Sequence, residues 1–359
     1  GRGYSPVEFD LPFALDDAVL AVGTQMKNTV TVAWGRRAVM SPHIGEMDSP
    51  RSLEVFERSI NDLQHLYGVE IKQIVCDAHP GYTATRWAEK QGLPIHKVFH
   101  HHAHAAATYH EADAGEAMLI FTWDGVGLGS DQTLWGGEAL LGTPGAWQRV
   151  ASMRPFSLPG GEKAGREPWR SAAALCWEAG IAVPDTLDVD PLVEAAWRSR
   201  LNAPQTSSVG RIFDAAAALT GICVNASFEG QGPMLLESAS GEPAGPLALP
   251  LSRDEGIWQT DWSPLLPVMQ DASLAVEDRA AVFHATMADV ILQQARKIRD
   301  ETTVNSIGFS GGVFQNRLLT EHAMEILQAD GFEVFLPELI PVNDAGISLG
   351  QIIEFGYRN

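Results

Sequence analysis

The sequence predicts an α/β protein, and two observations carry the prediction. Runs rich in apolar and β-branched residues alternate with stretches whose apolar residues recur at helical spacing. A unit of apolar strand, glycine-bearing or polar turn and return strand also occurs twice, near residues 18 and 117. The copies share no close residue identity, so the duplication is one of architecture.

Taken in order, residues 1–16 contain proline, show no clear period and read as a lead-in. Segments 18–23, 29–35 and 38–41 read as three strands of an antiparallel meander, joined by a polar turn at 24–28 and by Gly35-Arg36-Arg37. Segment 52–67 sets Leu53, Phe56, Ile60, Leu63 and Leu66 on one helical face. A β-branched strand over 71–76 ends at Asp77 and the turn His79-Pro80-Gly81-Tyr82. A helix over 83–91, a strand over 95–99 and a helix over 101–111 close the first half. The second half opens with a buried-type strand over 117–123, turns at 124–132, returns through 133–142 and adds a third strand over 147–153. Beyond a Pro/Gly-punctuated stretch with a helix near 169–178, helices are expected over 210–219 and 278–301, and strands over 306–309 and 332–336. A loop-rich region covers 240–267, and a final helix runs from about 345 to 355.

Composition narrows the function. The 359 residues suit two or three domains, and 45% apolar against 19% charged residues can bury a core. The net charge of −20 repels phosphate backbones and excludes stable binding to nucleic acid or an anionic membrane. The sequence lacks an 18-residue apolar run, which excludes a transmembrane helix, and its start lacks the order of a secretory signal. Cys76, Cys176 and Cys223 form no CxxC pair, which suits a reducing cytoplasm. The chain begins with Gly and reads as a trimmed or partial chain.

The sharpest local signal is Phe99-His100-His101-His102-Ala103-His104, where a strand feeds a helix. His100 and His104 stand one turn apart on the same face, the spacing at which two imidazoles share a metal; a surface histidine cluster is the alternative. His101 and His102 then point elsewhere. Asp124 ends a buried strand, where α/β sheets bind ligands, and Gly125, Gly127 and Gly129 let backbone approach a phosphate, unless they form an ordinary Asp-Gly turn. Asp344 precedes a helix, where Asn343 or Asp344 itself serves as N-cap; if its carboxylate meets the His pair, the set suits Fe(II), Mn(II) or Zn(II). Gly311-Gly312 sits at a strand-to-helix turn, free of the Rossmann and P-loop fingerprints, and either seats a flat base or sugar or is a tight turn. Arg166 to Arg170 reads as a nucleotide or partner clamp or as surface ion pairs, and Trp123, Trp135 and Trp169 as anchors.

Ordered motifs then carry a resemblance: SPHIGEMDS at 41–49, CDAHPGY at 76–82, VFHHHAHAAA at 98–107, DGVGLGSDQTLWGGE at 124–138, RPFSLPGGEKAGREPWR at 154–170, GRIFDAAAALTG at 210–221, FEGQGPMLLE at 228–237 and GFSGGVFQN at 308–316. From about residue 16 onward the chain resembles the carbamoyltransferase part of the HypF family of hydrogenase maturation factors, itself similar to the tRNA threonylcarbamoyl transferases and antibiotic O-carbamoyltransferases. The resemblance implies duplicated lobes of the actin, sugar kinase and Hsp70 superfamily with a cleft between them. The first lobe would cover 17–116 with a C-terminal helix, 345–359, packing back on it. The second would cover 117–344 with insertions at 158–208 and 238–275. It implies a cytoplasmic enzyme that moves a carbamoyl group from carbamoyl-adenylate, an ATP-derived AMP ester, to the C-terminal cysteine of the partner HypE. The product thiocarboxamide leads to the cyanide ligands of [NiFe]-hydrogenase. A divalent metal, iron or zinc, would be held by His100, His104, Asp124 and Asp344. Gly210, Asp214, Gly311, Gly312 and Asn316 would line the nucleotide, joined from the residue reading by Gly125 and Gly127, and Lys27 would contact the phosphate or carbamoyl group. The 158–208 stretch is expected to face HypE. Competing readings are a tRNA-modifying or antibiotic carbamoyltransferase, an Hsp70-like switch, or a HypE-binding module without activity.

Overall fold

The computed structural model describes residues 6–358. Val7–Ala21 (β1) and Thr31–Met40 (β2) form a long hairpin, followed by Pro50–Tyr67 (α1), Gln73–Asp77 (β3), Thr83–Ala88 (α2), Ile95–Val98 (β4) and His100–Ala112 (α3). Next come Met118–Leu128 (β5), Leu134–Gly142 (β6), Gln148–Met153 (β7) and Phe156–Ser157 (β8), then Pro168–Ala179 (α4), Pro191–Arg198 (α5), Gln205–Thr206 (β9), Val209–Leu219 (α6) and Gln231–Ala239 (α7). Leu251–Asp254 (β10), Ile257–Thr260 (β11), Leu265–Gln270 (α8), Val276–Thr302 (α9), Ser306–Ser310 (β12), Arg317–Ala329 (α10), Glu333–Phe335 (β13) and Ile347–Arg358 (α11) complete the chain. The described helices include none long and apolar enough to cross a membrane.

Two sheets result, ordered β2-β1-β3-β4 and β10-β11-β7-β6-β5-β12-β13, with β8 and β9 beside the second. Each has the same centre. β1 pairs antiparallel with β2 and parallel with β3, which pairs parallel with β4. β5 pairs antiparallel with β6 and parallel with β12, which pairs parallel with β13. The strand–turn–strand unit read twice from the sequence is therefore the start of each sheet. Asp77 ends β3, whereas β5 continues to Leu128 through part of the turn expected at 124–132, with Asp124 just past its last parallel pair, Thr122 with Ser310.

The meander expected over 18–41 is one hairpin. Residues 7–16, expected as lead-in, belong to β1, while residues 1–5 lie outside the described residues. Gly35, at φ +52°, takes the ladder through a bulge opposite Leu15, so Gly35-Arg36-Arg37 stays within β2 instead of turning. Between 240 and 267, expected as loop, the β10–β11 hairpin forms and adds to the second sheet. α5, α7 and α8 span eight, nine and six residues, too short for helical periodicity to register.

α1 shows how local signals set an element. The Ser49 hydroxyl accepts Ser52 N–H at 3.1 Å, Pro50 begins the helix, and Gly68 at φ +64° ends it. It buries Phe56, Ile60 and Leu63, whereas Leu66 from the predicted stripe is exposed.

α3 differs, because both lobes cover it. Ala103, Ala106 and Ala107 pack with Val19, Val75 and Ile352 in the first-sheet core, while Ala105 and Tyr109 pack with Ile120 and Leu140 from the second. α11 lies across α3 and β1, so close that a Cβ on Gly350 would stand 1.9 Å from the Ala103 carbonyl oxygen.

Candidate functional site

The first two turns of α3 carry His100 and His104, with ring centroids 4.9 Å apart and both side chains buried. Asp124 sits where the β5–β6 register breaks, and Asp344 opens a 3-10 turn leading into α11. Asn343 takes the cap role there, its Oδ1 accepting Ala345 N–H at 3.0 Å, which leaves the Asp344 carboxylate for the His pair. Asp124 Oδ2 stands 3.3 Å from His100 Nε2 and 3.2 Å from His104 Nε2, and Asp344 Oδ1 stands 3.9 and 3.7 Å from them.

The outer partners fix the tautomers. His100 Nδ1 lies 3.0 Å from Asp77 Oδ2, an acceptor, so Nδ1 carries the proton and Nε2 faces the carboxylates. At His104 the Ser310 hydroxyl gives its one proton to the His104 carbonyl, 3.1 Å away, so its oxygen accepts from Nδ1–H at 3.2 Å. Asp124 Oδ1 accepts Gly125 N–H at 2.8 Å and Gly312 N–H at 3.3 Å, leaving Oδ2 for the imidazoles. Burial pushes the His100 imidazole down, but Asp124 and Asp77, with Asp344 nearby, outweigh it and hold it well above its ordinary value. His104 is likewise raised against burial by Asp124 and Asp344. Burial would raise the Asp124 carboxyl, and the two imidazoles instead bring it well below its ordinary value.

A cation fits this donor set. The four ligand atoms lie within 4.8 Å of one another. Ligands held about 2.1 Å from one ion stand roughly 3–3.5 Å apart, close to the separations given above. With a cation in place of their protons, the two Nε2 atoms and the two carboxylates suit zinc or ferrous iron, and the carboxylates are the partly exposed members.

Lys27 lies in the β1–β2 connection, in a left-handed conformation at φ +46°. Burial lowers its ammonium pKa, and the charges of Asp344, Asp124, Glu229 and Glu46 more than restore it. The glycines divide by cause. A Cβ on Gly127 would meet His101 Cε1 at 2.7 Å, and one on Gly129 the Trp135 indole at 2.1 Å, so packing rather than a ligand accounts for both. Gly210 lets α6 approach the Asp124 carbonyl, 3.0 Å from its Cβ position, and Gly125 adjoins Glu229 and Arg211. Gly311, at φ +100°, has its Cβ position 2.1 Å from the Trp123 carbonyl oxygen, a conformation and a space open only to glycine. Asp214 on α6 is pushed up to about 7 by burial, against the pull of Arg211, whose Nη1 is 3.2 Å away. Asn316 caps α10, accepting Leu319 N–H at 2.9 Å. His101 and His102 do point elsewhere, His101 toward Trp135 and His102 toward Glu354. Arg166 and Arg170 make ion pairs with Glu46 and Glu167.

Residue reading missed Asp77 and Ser310. Asp77 carried a signal, a carboxylate ending a β-branched strand, as Asp124 does. Replacing Asp77 with Asn removes the charge that orients His100; metal affinity, read by chelator competition, should fall about 10–100-fold while the melting temperature changes little.

A family model described as "Carbamoyltransferase, Kae1-like Domain, second subdomain" matches residues 120–351, and one described as "HypF Kae1-like domain" matches 14–111. Carbamoyltransferase HypF of Synechocystis is 34% identical over 98% of this chain and 49% of its own length. A carbamoyltransferase HypF homolog of Cupriavidus necator is 32% identical over 95% of this chain and 92% of its own length. The crystal structure of a full-length HypF in its phosphate- and nucleotide-bound form superimposes with a TM-score of 0.93 at 31% identity, covering 99% of this chain and 48% of that one. The chain thus spans about half the length of most of the curated relatives it matches. Fold, motifs and matched length together place this chain in the HypF carbamoyltransferase family, over its Kae1-like part.

Proposed function

We propose that this chain transfers the carbamoyl group of carbamoyl-adenylate to the thiolate of the C-terminal cysteine of HypE, in the cytoplasm, as a step of [NiFe]-hydrogenase maturation. The observation that carries the reading is the convergence of His100, His104, Asp124 and Asp344, whose donor atoms lie within 4.8 Å of one another. These residues would hold a divalent cation, iron or zinc, which supplies Lewis acidity toward a carbonyl or phosphate oxygen. We take residues 7–116 with the C-terminal helix as one lobe and 117–344 as the other, the nucleotide entering between them.

A carbamoyl carbon is a poor electrophile because its nitrogen donates into the carbonyl. The sulfur attacks that carbon, its bond to the AMP phosphate oxygen breaks, and AMP leaves with the electron pair, so the leaving group needs little protonation. Lys27 would offset charge on the phosphate or carbamoyl oxygen. Gly125, Gly210, Asp214, Gly311 and Gly312 would border the nucleotide, with Asn316 closing the far end of the turn. Among the described residues the three cysteines are buried, and burial pushes the Cys76 and Cys176 thiols up to about 11, which leaves the nucleophile to the partner.

The test supplies metal-loaded chain, carbamoyl-adenylate and HypE, and follows the mass of HypE. A single carbamoyl adduct, absent when the terminal cysteine is replaced by Ala, is expected. Nucleotide bound without any adduct would leave a binding module and overturn the transferase reading.

A further inference from the structure

We propose that His284 on α9 is a positioning residue for the 311–316 turn, acting through Asn316. The proposal rests on the reading that this turn borders the nucleotide. His284 Nδ1 lies 2.8 Å from the Ala280 carbonyl oxygen. A carbonyl only accepts, so Nδ1 carries the proton and Nε2 is left as a bare acceptor. That acceptor takes Asn316 Nδ2–H at 3.0 Å. The other end of the same amide, Oδ1, accepts Leu319 N–H at 2.9 Å. Two helices therefore hold the Asn316 side chain by its opposite ends, and an amide flip would break both bonds.

The same turn borders the cluster. Asn316 N–H donates to the Val313 carbonyl at 3.0 Å and closes the turn, within which Gly312 N–H donates to Asp124 Oδ1 at 3.3 Å. Both His284 and Asn316 are buried, and the imidazole packs at ring-centroid distances of 5.6 and 5.9 Å against Phe213 and Phe283. Water has no easy way in to replace a lost acceptor, so its removal leaves a buried amide N–H unpaired. Burial also lowers the His284 pKa, against the Ala280 carbonyl and Glu237, which keeps the ring neutral and accepting. Asn316 is thus a strut of the turn whose carbonyl oxygen is already committed, rather than a free ligand contact.

Two substitutions separate the two nitrogens. His284→Gln places an oxygen near the Nε2 position, whereas His284→Asn reaches only as far as Nδ1. ATP affinity of the full chain, measured by calorimetry, should fall about tenfold in His284→Asn and stay within about threefold in His284→Gln, with metal content unchanged in both. His284→Phe, which keeps the ring but lacks both nitrogens, should match His284→Asn. Equal weakening in Gln and Asn, unchanged binding in Asn, or loss of metal along with nucleotide would overturn the role. If the wild-type chain itself fails to bind ATP, the nucleotide reading falls instead.

Discussion

Replacing His100 and His104 together with Ala should reduce bound metal from a stoichiometric amount to background and abolish carbamoyl transfer. The loss of rate should reach roughly 10³-fold or more, because a Lewis acid contributes several kcal/mol that the carboxylates cannot supply alone. Asp124 and Asp344 would remain with Asp77 buried behind them, three acids that have lost their imidazole partners. Elemental analysis of protein purified without chelators reads the first effect, and the HypE adduct reads the second. Both imidazoles are supported from behind, by Asp77 and by Ser310, so removing either ring alone should also cost most of the affinity. Metal retained at full occupancy in the double variant would remove the cation from this site and with it the proposed chemistry.

The second large effect concerns packing. Gly350→Ala should destabilise the chain by about 3 kcal/mol or more, because the new Cβ meets backbone rather than a side chain that can turn away. Its position lies 1.9 Å from the Ala103 carbonyl oxygen and 3.2 Å from Ala103 Cα, so α11 would have to lift off α3. Because α3 carries both imidazoles and Asp344 leads directly into α11, the same substitution should also lower metal content. Gly68→Ala is the control: it keeps a left-handed φ of +64° but has open space around its Cβ position, and should cost only about 1 kcal/mol. Thermal melts of the two variants, with metal analysis, check the difference. Similar melting temperatures would show that α11 and α3 are not locked at this crossing.

The His pair, the Asp after the apolar run 117–123 and the double glycine were legible because each is a short-range pattern: an i, i+4 spacing, an apolar run that stops at a carboxylate, a turn only glycine can make. Asp344 was legible as a candidate, but its sequence context alone fitted an ordinary helix cap equally well. Only the fold gave that cap to Asn343 and turned Asp344 toward imidazoles far away in the chain. Gly127 and Gly129 show the reverse. They looked like phosphate-binding glycines, and their neighbours turned out to be His101 and Trp135.

By itself the sequence determined the alternation of strands and helices, the repeated strand–turn–strand opening of each lobe and most of the side chains that meet at the cluster, since these follow from propensity and periodicity within a few residues. Tertiary structure alone decided that Gly35 would bulge a single long hairpin instead of ending a strand, that Asp77 and Ser310 would set the tautomers of His100 and His104, and that Asn316 would be held by His284. Those outcomes depend on which distant surfaces pack together, and burial rewards a contact without regard to the sequence distance between its partners.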